Sequence, residues 1–378
     1  MENTLDSYFI SLVKIDSLSK QEKNVAQKIA QDLKDLGAEV KFDLANEKTG
    51  GNIGNLYAYF PGNVKKEPLL FCSHLDTVVP GKNIKPQIKD DRITSDGTTI
   101  LGSDDKSGIA EIIWAIKEIK EEGTDHAPIE VLLTISEEIG LLGAKYLDYS
   151  MIRSRIGYAM DSHKIGEMVV GAPSQNTMFY TIYGKESHAG IAPEMGINAI
   201  KIASEAISKM PMGRIDFETT CNVGVIEGGK ATNIVPNIVK IKAEARSHNM
   251  SKLNDVTERM SKALKDAVEK YEIGDYKASV EIEINEEYQS FFLSDEEEVI
   301  KLGKKASENL GLDTETIIGG GGSDANILNQ NGLKIVVAGT GMNQVHTVDE
   351  FILLADLKNG VKWIKEVIRI HSLNCGIS

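Results

Sequence analysis

IEVLLTISEEIG (129–140) is the stretch on which the fold turns. Residues 129–136 form an apolar, β-branched run of the length expected for a strand buried on both faces. The run closes on Glu137 and Glu138, and two adjacent acids there are costly unless something cationic meets them. Their side chains diverge, so one is free to ligate a metal while the other stands beside a water. Similar runs flank this one: NLYAYF (55–60), PLLFCSH (68–74), YAMD (158–161), EMVVGA (167–172) and KIVVAG (334–339). Helical periodicity separates them. Ile109, Ile112, Ile113 and Ile116 share one face of a helix over 105–121, and further helices are expected at 295–310 and 354–371. Two more belong to residues 1–37, the second running from about Lys20 to Gly37 with Ser19 and Glu22 as a capping box. Strands alternating with helices imply an α/β fold with a mixed, mostly parallel sheet flanked by helices.

Between 176 and 290 the pattern changes. MFYTIYG (178–184), a helix over 194–209, CNVGVIEGG (221–229), NIVKIKAEARS (237–247), a helix over 251–270 and KASVEIEIN (277–285) follow the split βαβ, ferredoxin-like order. Such a unit closes on itself. The expected organisation is therefore a domain made of 1–175 and 291–378, with 176–290 inserted as an α+β domain. A length of 378 residues suits two cores.

Composition excludes several classes. The apolar and charged fractions, 41% and 26%, are those of an ordinary soluble protein. No apolar run approaches the ~18–20 residues of a membrane span. MENTLDSYF lacks a basic-then-apolar export signal, so a cytoplasmic location is expected. A net charge of −14 argues against nucleic acid as a partner. Cys72, Cys221 and Cys375 lie far apart without CxxC spacing, which leaves no basis for a disulfide framework or a thiolate zinc site. Cys72 reads as a buried strand residue and His163 as solvent-facing, and His126, His248 and His371 receive no functional reading.

Chemistry collects in five fragments: FCSHLDTV (71–78), LGSDDKSG (101–108), TISEEIG (134–140), YAMDSH (158–163) and NQVHTVDE (343–350). They supply two histidines, a set of carboxylates and a spare glutamate, the inventory a pair of hard-to-borderline divalent ions needs. His74 and Asp76, two apart at a strand end, point to the same face. Asp104 follows a Gly-Ser turn at a helix start, Asp161 ends another strand, and His346 follows the strand KIVVAG. In open α/β sheets such groups gather beyond the carboxyl ends of the strands. Asp105 and Lys106 are read as structural.

These fragments resemble the di-zinc exopeptidase and amidohydrolase family that includes peptidase T, carboxypeptidase G, aminoacylase and succinyl-diaminopimelate desuccinylase, with the peptidase T-like branch nearest. The resemblance spans nearly the whole chain. It implies one metal held by His74, Asp104 and Asp161 and another by Asp104, Glu138 and His346, with Asp104 shared. It makes Glu137 the general base that activates a metal-bridged water, and Asp76 the partner behind His74. It also implies a cis peptide between Asp104 and Asp105. A related group, the large oligomeric metalloaminopeptidases, carries its extra domain between the HxD strand and the bridging aspartate. Here only 27 residues separate Asp76 from Asp104, and the insert follows Asp161.

For substrate contacts the resemblance points to the inserted domain, as a lid or dimerisation element. His188 in GKESHAG (184–190) and Asn233 in GGKATNIVP (228–236) would face the oxyanion, and Arg246 would clamp a terminal carboxylate. Gly321, in GGGGSDAN (319–326), lets backbone approach a ligand; the run lacks the GK[ST] ending of a phosphate loop. The expected activity is hydrolysis of short peptides such as tripeptides, with two divalent ions, zinc foremost and manganese or cobalt as alternatives. A carboxypeptidase or a deacylase of N-acyl amino acids uses the same chemistry. A catalytically inactive metal- or peptide-binding protein is the reading from another class. The resemblance admits a homodimer through the inserted domain, which no sequence feature demands.

Overall fold

The computed structural model describes residues 2–373; Cys375 lies outside them. Contacts divide the chain into two compact units, Met1–Gly171 with Phe292–Gly319 and Ser323–Ser378, and Ala172–Phe291 with Gly320–Gly322.

In the first unit the apolar runs become neighbouring strands. Across the sheet lie Glu39–Phe42, Leu56–Phe60, Ile129–Thr134, Leu69–His74, Ile156–Ser162, Lys334–Gly339 and Glu167–Ala172. The four middle strands run parallel to one another. Their flanking neighbours, Leu56–Phe60 on one side and Glu167–Ala172 on the other, run antiparallel to them, and Glu39–Phe42 beyond pairs antiparallel with Leu56–Phe60. Every residue of Leu69–His74 and Ile129–Thr134 is buried, which is why neither run alternates polar with apolar. Glu130, the acid inside the second run, is buried too. Its carboxylate accepts from the Tyr57 hydroxyl and from the backbone N–H groups of Arg153 and Ser154. The closing helix Leu354–Leu373 packs against helices Ser103–Glu122 and Glu298–Leu310. Its Trp363 meets Tyr158 edge-on at 5.0 Å, and Tyr158 stacks on Phe71 at 5.9 Å, so aromatic rings tie this helix to the central strands. Helix Ser103–Glu122 approaches strand Ile156–Ser162 closely at Gly108, where a Cβ would fall 2.3 Å from the Met160 carbonyl oxygen.

One expectation needs correction, and one sheet was not anticipated. The second helix runs Lys23–Asp35, and Ser19 and Glu22 do not form its capping box. Lys20 has φ 71°, a left-handed conformation that the first helical residue after a Ser19 cap cannot adopt, and both polar side chains are used elsewhere. A separate four-stranded sheet joins Met342–Asn343, Phe351–Leu353, Arg92–Thr94 and Gln87–Lys89. Strands of two or three residues carry too little periodicity to be read in advance.

The second unit is an antiparallel sheet whose strands run in the order Thr219–Gly228, Ile238–Ser247, Ser174–Tyr183, Ser279–Tyr288. In chain order these are strands two, three, one and four of a β-α-β-β-α-β unit, the ferredoxin-like arrangement. Helices Ala199–Ile207 and Met250–Val268 cover one face, burying Met178, Tyr180, Val239, Ile241 and Met260. Alternation along Ile238–Ser247 sends Lys240, Lys242, Glu244 and Arg246 to the other face. Among the described residues no helix is long and apolar enough to cross a membrane.

Candidate metal centre

The centre grows from strand ends of the first unit. His74 is the last residue of its strand, and Asp76 follows fully buried. Asp76 Oδ1 accepts from the Glu137 N–H at 2.9 Å, and Oδ2 accepts from the Glu138 N–H at 3.2 Å and the Ser19 hydroxyl at 2.7 Å. Asp76 also lies behind His74: its backbone oxygen is 3.0 Å and its carboxylate 3.5 Å from the imidazole Nδ1. The turn after strand Ile129–Thr134 is fastened in the same way. The Ile135 N–H donates to Asn55 Oδ1 at 3.0 Å. Ser136 adopts φ 53°, and its N–H and hydroxyl both donate to Glu22, at 3.0 and 3.1 Å. This left-handed residue is what redirects the chain so that Glu137 and Glu138 leave the strand side by side.

Asp104 is presented by a loop instead. Gly102 has φ 76°, and Asp104 departs from helical geometry at the head of helix Ser103–Glu122. The Asp104–Asp105 peptide is cis. Glu350, 1% exposed, fastens this loop from the far end of the chain. It accepts from the N–H groups of Leu101, Gly102 and Asp104 and from the Ser103 hydroxyl, at 2.7, 2.8, 3.1 and 2.6 Å.

Asp104 stands between two imidazoles. His74 Nε2 is 2.9 Å from its Oδ1 and His346 Nε2 is 3.1 Å from its Oδ2. His346 Nε2 is also 3.0 Å from Glu138 Oε1, and His74 Nε2 is 4.0 Å from Asp161 Oδ1. Donor atoms of His74, Asp104 and Glu138 lie within 4.8 Å of one another, as do those of His74, Asp105 and Asp161. The structure thus brings His74, Asp76, Asp104, Glu137, Glu138, Asp161 and His346 together, and adds Asp105 to the neighbourhood.

Electrostatics follow from this crowding. Burial opposes charge on Asp104, but the His346 and His74 imidazoles hold its carboxyl well below the usual range. His346 is pushed up to about 10 by its bonds to Asp104 and Glu138. Burial drives Glu137 well above the ordinary carboxyl value; His74 pulls it back, while Asp161, Asp324 and Glu138 push it up again. Asp161 is likewise raised, by burial and then by Asp104. Asp105 Oδ1 is buried and has no hydrogen-bond partner. Buried carboxylates that repel one another, beside imidazoles able to act as neutral donors, are what divalent cations relieve. The donor set fits such ions.

The four remaining candidates lie in the second unit. His188 and Asn233 come together there: strand Ser187–His188 pairs with Ile234–Val235, and the Ala189 N–H donates to the Asn233 carbonyl at 2.9 Å. Both side chains are exposed. Arg246 is bonded to Glu244, and Gly321 lies beside the guanidinium. Ser19, Glu22, Asn55 and Glu350 were not anticipated from the sequence. Their work is to accept main-chain N–H groups or brace Asp76 from remote positions; Ser19 and Glu22 read in the sequence as a helix cap, and only Glu350 lies in one of the five chemistry-bearing fragments.

Borderline-cation donors beyond the ends of the middle strands, with a spare buried acid among them, are the equipment of a metallohydrolase. Residues 70–370 match the profile of peptidase family M20/M25/M40. A tripeptidase from Staphylococcus aureus superposes with a TM-score of 0.92 at 37% identity, over 97% of this chain and 98% of that one. The aminopeptidase PepT from Bacillus cereus gives 0.87 at 41% identity over the same shares. Among curated relatives, the uncharacterized protein YqjE of Bacillus subtilis is 42% identical over 97% of this chain and 98% of its own length. Peptidase T of Clostridium novyi is 26% identical over 96% and 98%. The chain belongs to peptidase family M20/M25/M40 as a peptidase T-like member. It is a hydrolase of peptide bonds.

Proposed function

We propose that the protein is a two-metal tripeptidase that removes residues from short peptides. His74, Asp104 and Asp161 would hold one ion and Asp104, Glu138 and His346 the other, with zinc the best match to an imidazole–carboxylate set. When bound, the ions polarise the scissile carbonyl and lower the pKa of water. Glu137 takes the proton of the attacking water and returns it to the departing amine. Asp76 keeps His74 and the Glu137–Glu138 turn in place. His188 and Asn233 donate to the oxyanion, while Arg246 and Gly321 receive the peptide's terminal carboxylate. The observation that carries this reading is Asp104 lying between His74 and His346, at 2.9 and 3.1 Å, as a shared ligand must. The exposed Val225 and Ile226 on strand Thr219–Gly228 support pairing of two copies through the second unit. A cytoplasmic setting completes the reading.

Glu137→Gln is expected to lower kcat by about 10³-fold, within the range of general-base contributions, while elemental analysis still finds two metals. Near-normal turnover would remove Glu137 from the mechanism. A panel of peptides with free and blocked termini checks the substrate class. Cleavage of N-acetyl amino acids without cleavage of tripeptides would make the protein a deacylase.

A further inference from the structure

Arg246 does not stand alone on the sheet of the second unit. Its guanidinium donates from Nε to Glu244 Oε1 at 3.2 Å and from Nη2 to Glu244 Oε2 at 3.1 Å. Glu244 precedes it by two residues on the same strand and therefore shares its face. Across the sheet Arg246 registers with Gln175, and Gln175 with Tyr288. The Tyr288 hydroxyl donates to Gln175 Oε1 at 2.6 Å, and Gln175 Nε2 donates to Glu244 Oε2 at 3.5 Å. The donations run one way, from Tyr288 through Gln175 to Glu244, so the amide and the carboxylate are both oriented.

We propose that Glu244, braced by Gln175 and Tyr288, is a positioning residue that turns the end of the Arg246 fork toward the carboxylate of a bound peptide. This rests on the reading of Arg246 given above. A guanidinium has five N–H groups. Glu244 occupies one on Nε and one on Nη2, the side of the fork, which leaves both on Nη1 and the second on Nη2, the end. Nη1 is the atom that a Cβ on Gly321 would meet, at 3.7 Å. At Gly322 a Cβ would fall 2.2 Å from the Tyr288 ring, so only glycine lets the backbone lie against that ring. Glycine backbone thus lines the end of the fork. Parallel N–H bonds from Nη1 and Nη2 match the two oxygens of a carboxylate, whereas a terminal amide would turn an NH₂ group toward one of them. A free C-terminus is accordingly the ligand feature this arrangement selects. Positioning also has a competitor, because the negative charge of Glu244 repels a second carboxylate.

Kinetics of the metal-loaded enzyme with tri-alanine and with its C-terminal amide separate the two. In Glu244→Ala the KM for tri-alanine is expected to rise about tenfold, the scale of one lost charge-assisted interaction, and the acid-over-amide preference to fall by a similar factor. The loss should lie in KM rather than kcat. Glu244→Gln, whose carbonyl still accepts one bond, should recover part of it. Tyr288→Phe, which removes a single hydroxyl, should raise KM about threefold. A lower KM in Glu244→Ala would show charge competition instead and overturn the proposal. So would an unchanged KM, or an equal loss on acid and amide. Should Glu244→Ala fail to fold, an unchanged KM in Tyr288→Phe overturns it. If the wild type does not prefer the acid to the amide, the reading of Arg246 fails and this falls with it. If the wild type prefers the acid and the variants keep that preference, only the role of Glu244 fails.

Discussion

Asp76 offers one carboxylate to three donors, the N–H groups of Glu137 and Glu138 and the Ser19 hydroxyl, and backs His74 as well. Truncation would leave those donors unpaired at a place with no solvent to replace the acid. Asp76→Ala is expected to weaken metal binding about 10–100-fold, the usual scale for a residue behind a ligand, and to lower kcat/KM with it. Calorimetric titration of zinc into chelated protein measures the first; an affinity equal to wild type would show that Asp76 contributes little to the centre. At this scale His74, Glu137, Glu138 and Asp161 were legible because each closes an apolar run, where a charge is conspicuous, whereas Asp104 and His346 follow glycine-bearing turns and took their meaning from the fragments around them. Glu22 and Asn55 were not. Their partners are main-chain N–H groups 80 to 114 positions along the chain, and a main-chain donor leaves no mark in a sequence. Glu22 even fitted a helix-capping pattern, which the left-handed Lys20 displaced.

The closing helix Leu354–Leu373 carries its own pH dependence. His371 is buried near its end, with Nε2 bonded to the Glu67 carbonyl at 2.9 Å and Nδ1 without a hydrogen-bond partner. Burial holds its pKa below 6.5, helped by Lys66 and opposed by the Glu67 bond and by Glu298. The folded state therefore binds fewer protons than the unfolded chain just below pH 6.5, and stability must fall as pH drops through that value toward the folded pKa. Thermal melts of wild type and His371→Gln should diverge between pH 7.5 and 5.5, the wild type losing more; parallel curves would contradict the assignment. Long elements such as this helix were legible from their 3.6-residue periodicity, and the buried strands from branching and length. The four-stranded sheet was not, since its two short hairpins are joined by Phe351–Leu353 pairing with Arg92–Thr94, up to 261 positions away, rather than by local pattern.

For the molecule as a whole, ions that bind the folded chain alone stabilise it by mass action. With free zinc near a thousandfold its Kd, that term is about 4 kcal/mol, so chelation should lower Tm by roughly 5 °C and abolish hydrolysis. Zinc, manganese and cobalt added back singly would rank the ions by recovery of both, and a chelated protein that kept its Tm and activity would refute metal dependence. The order of strands and helices, and the ferredoxin-like unit set among them, were legible in outline because each unit closes a core of its own.

Glu350 anchors the loop of Asp104 from 246 positions away, and His346 lies four residues before it. Synthesis runs from the amino end, so a nascent polypeptide on the ribosome has His74 and the carboxylates from Asp76 to Asp161 long before it has this pair. A nascent chain that has not yet reached residues 346–350 is therefore expected to be inert toward its neighbours. Fragments released early by stalling would be inert too.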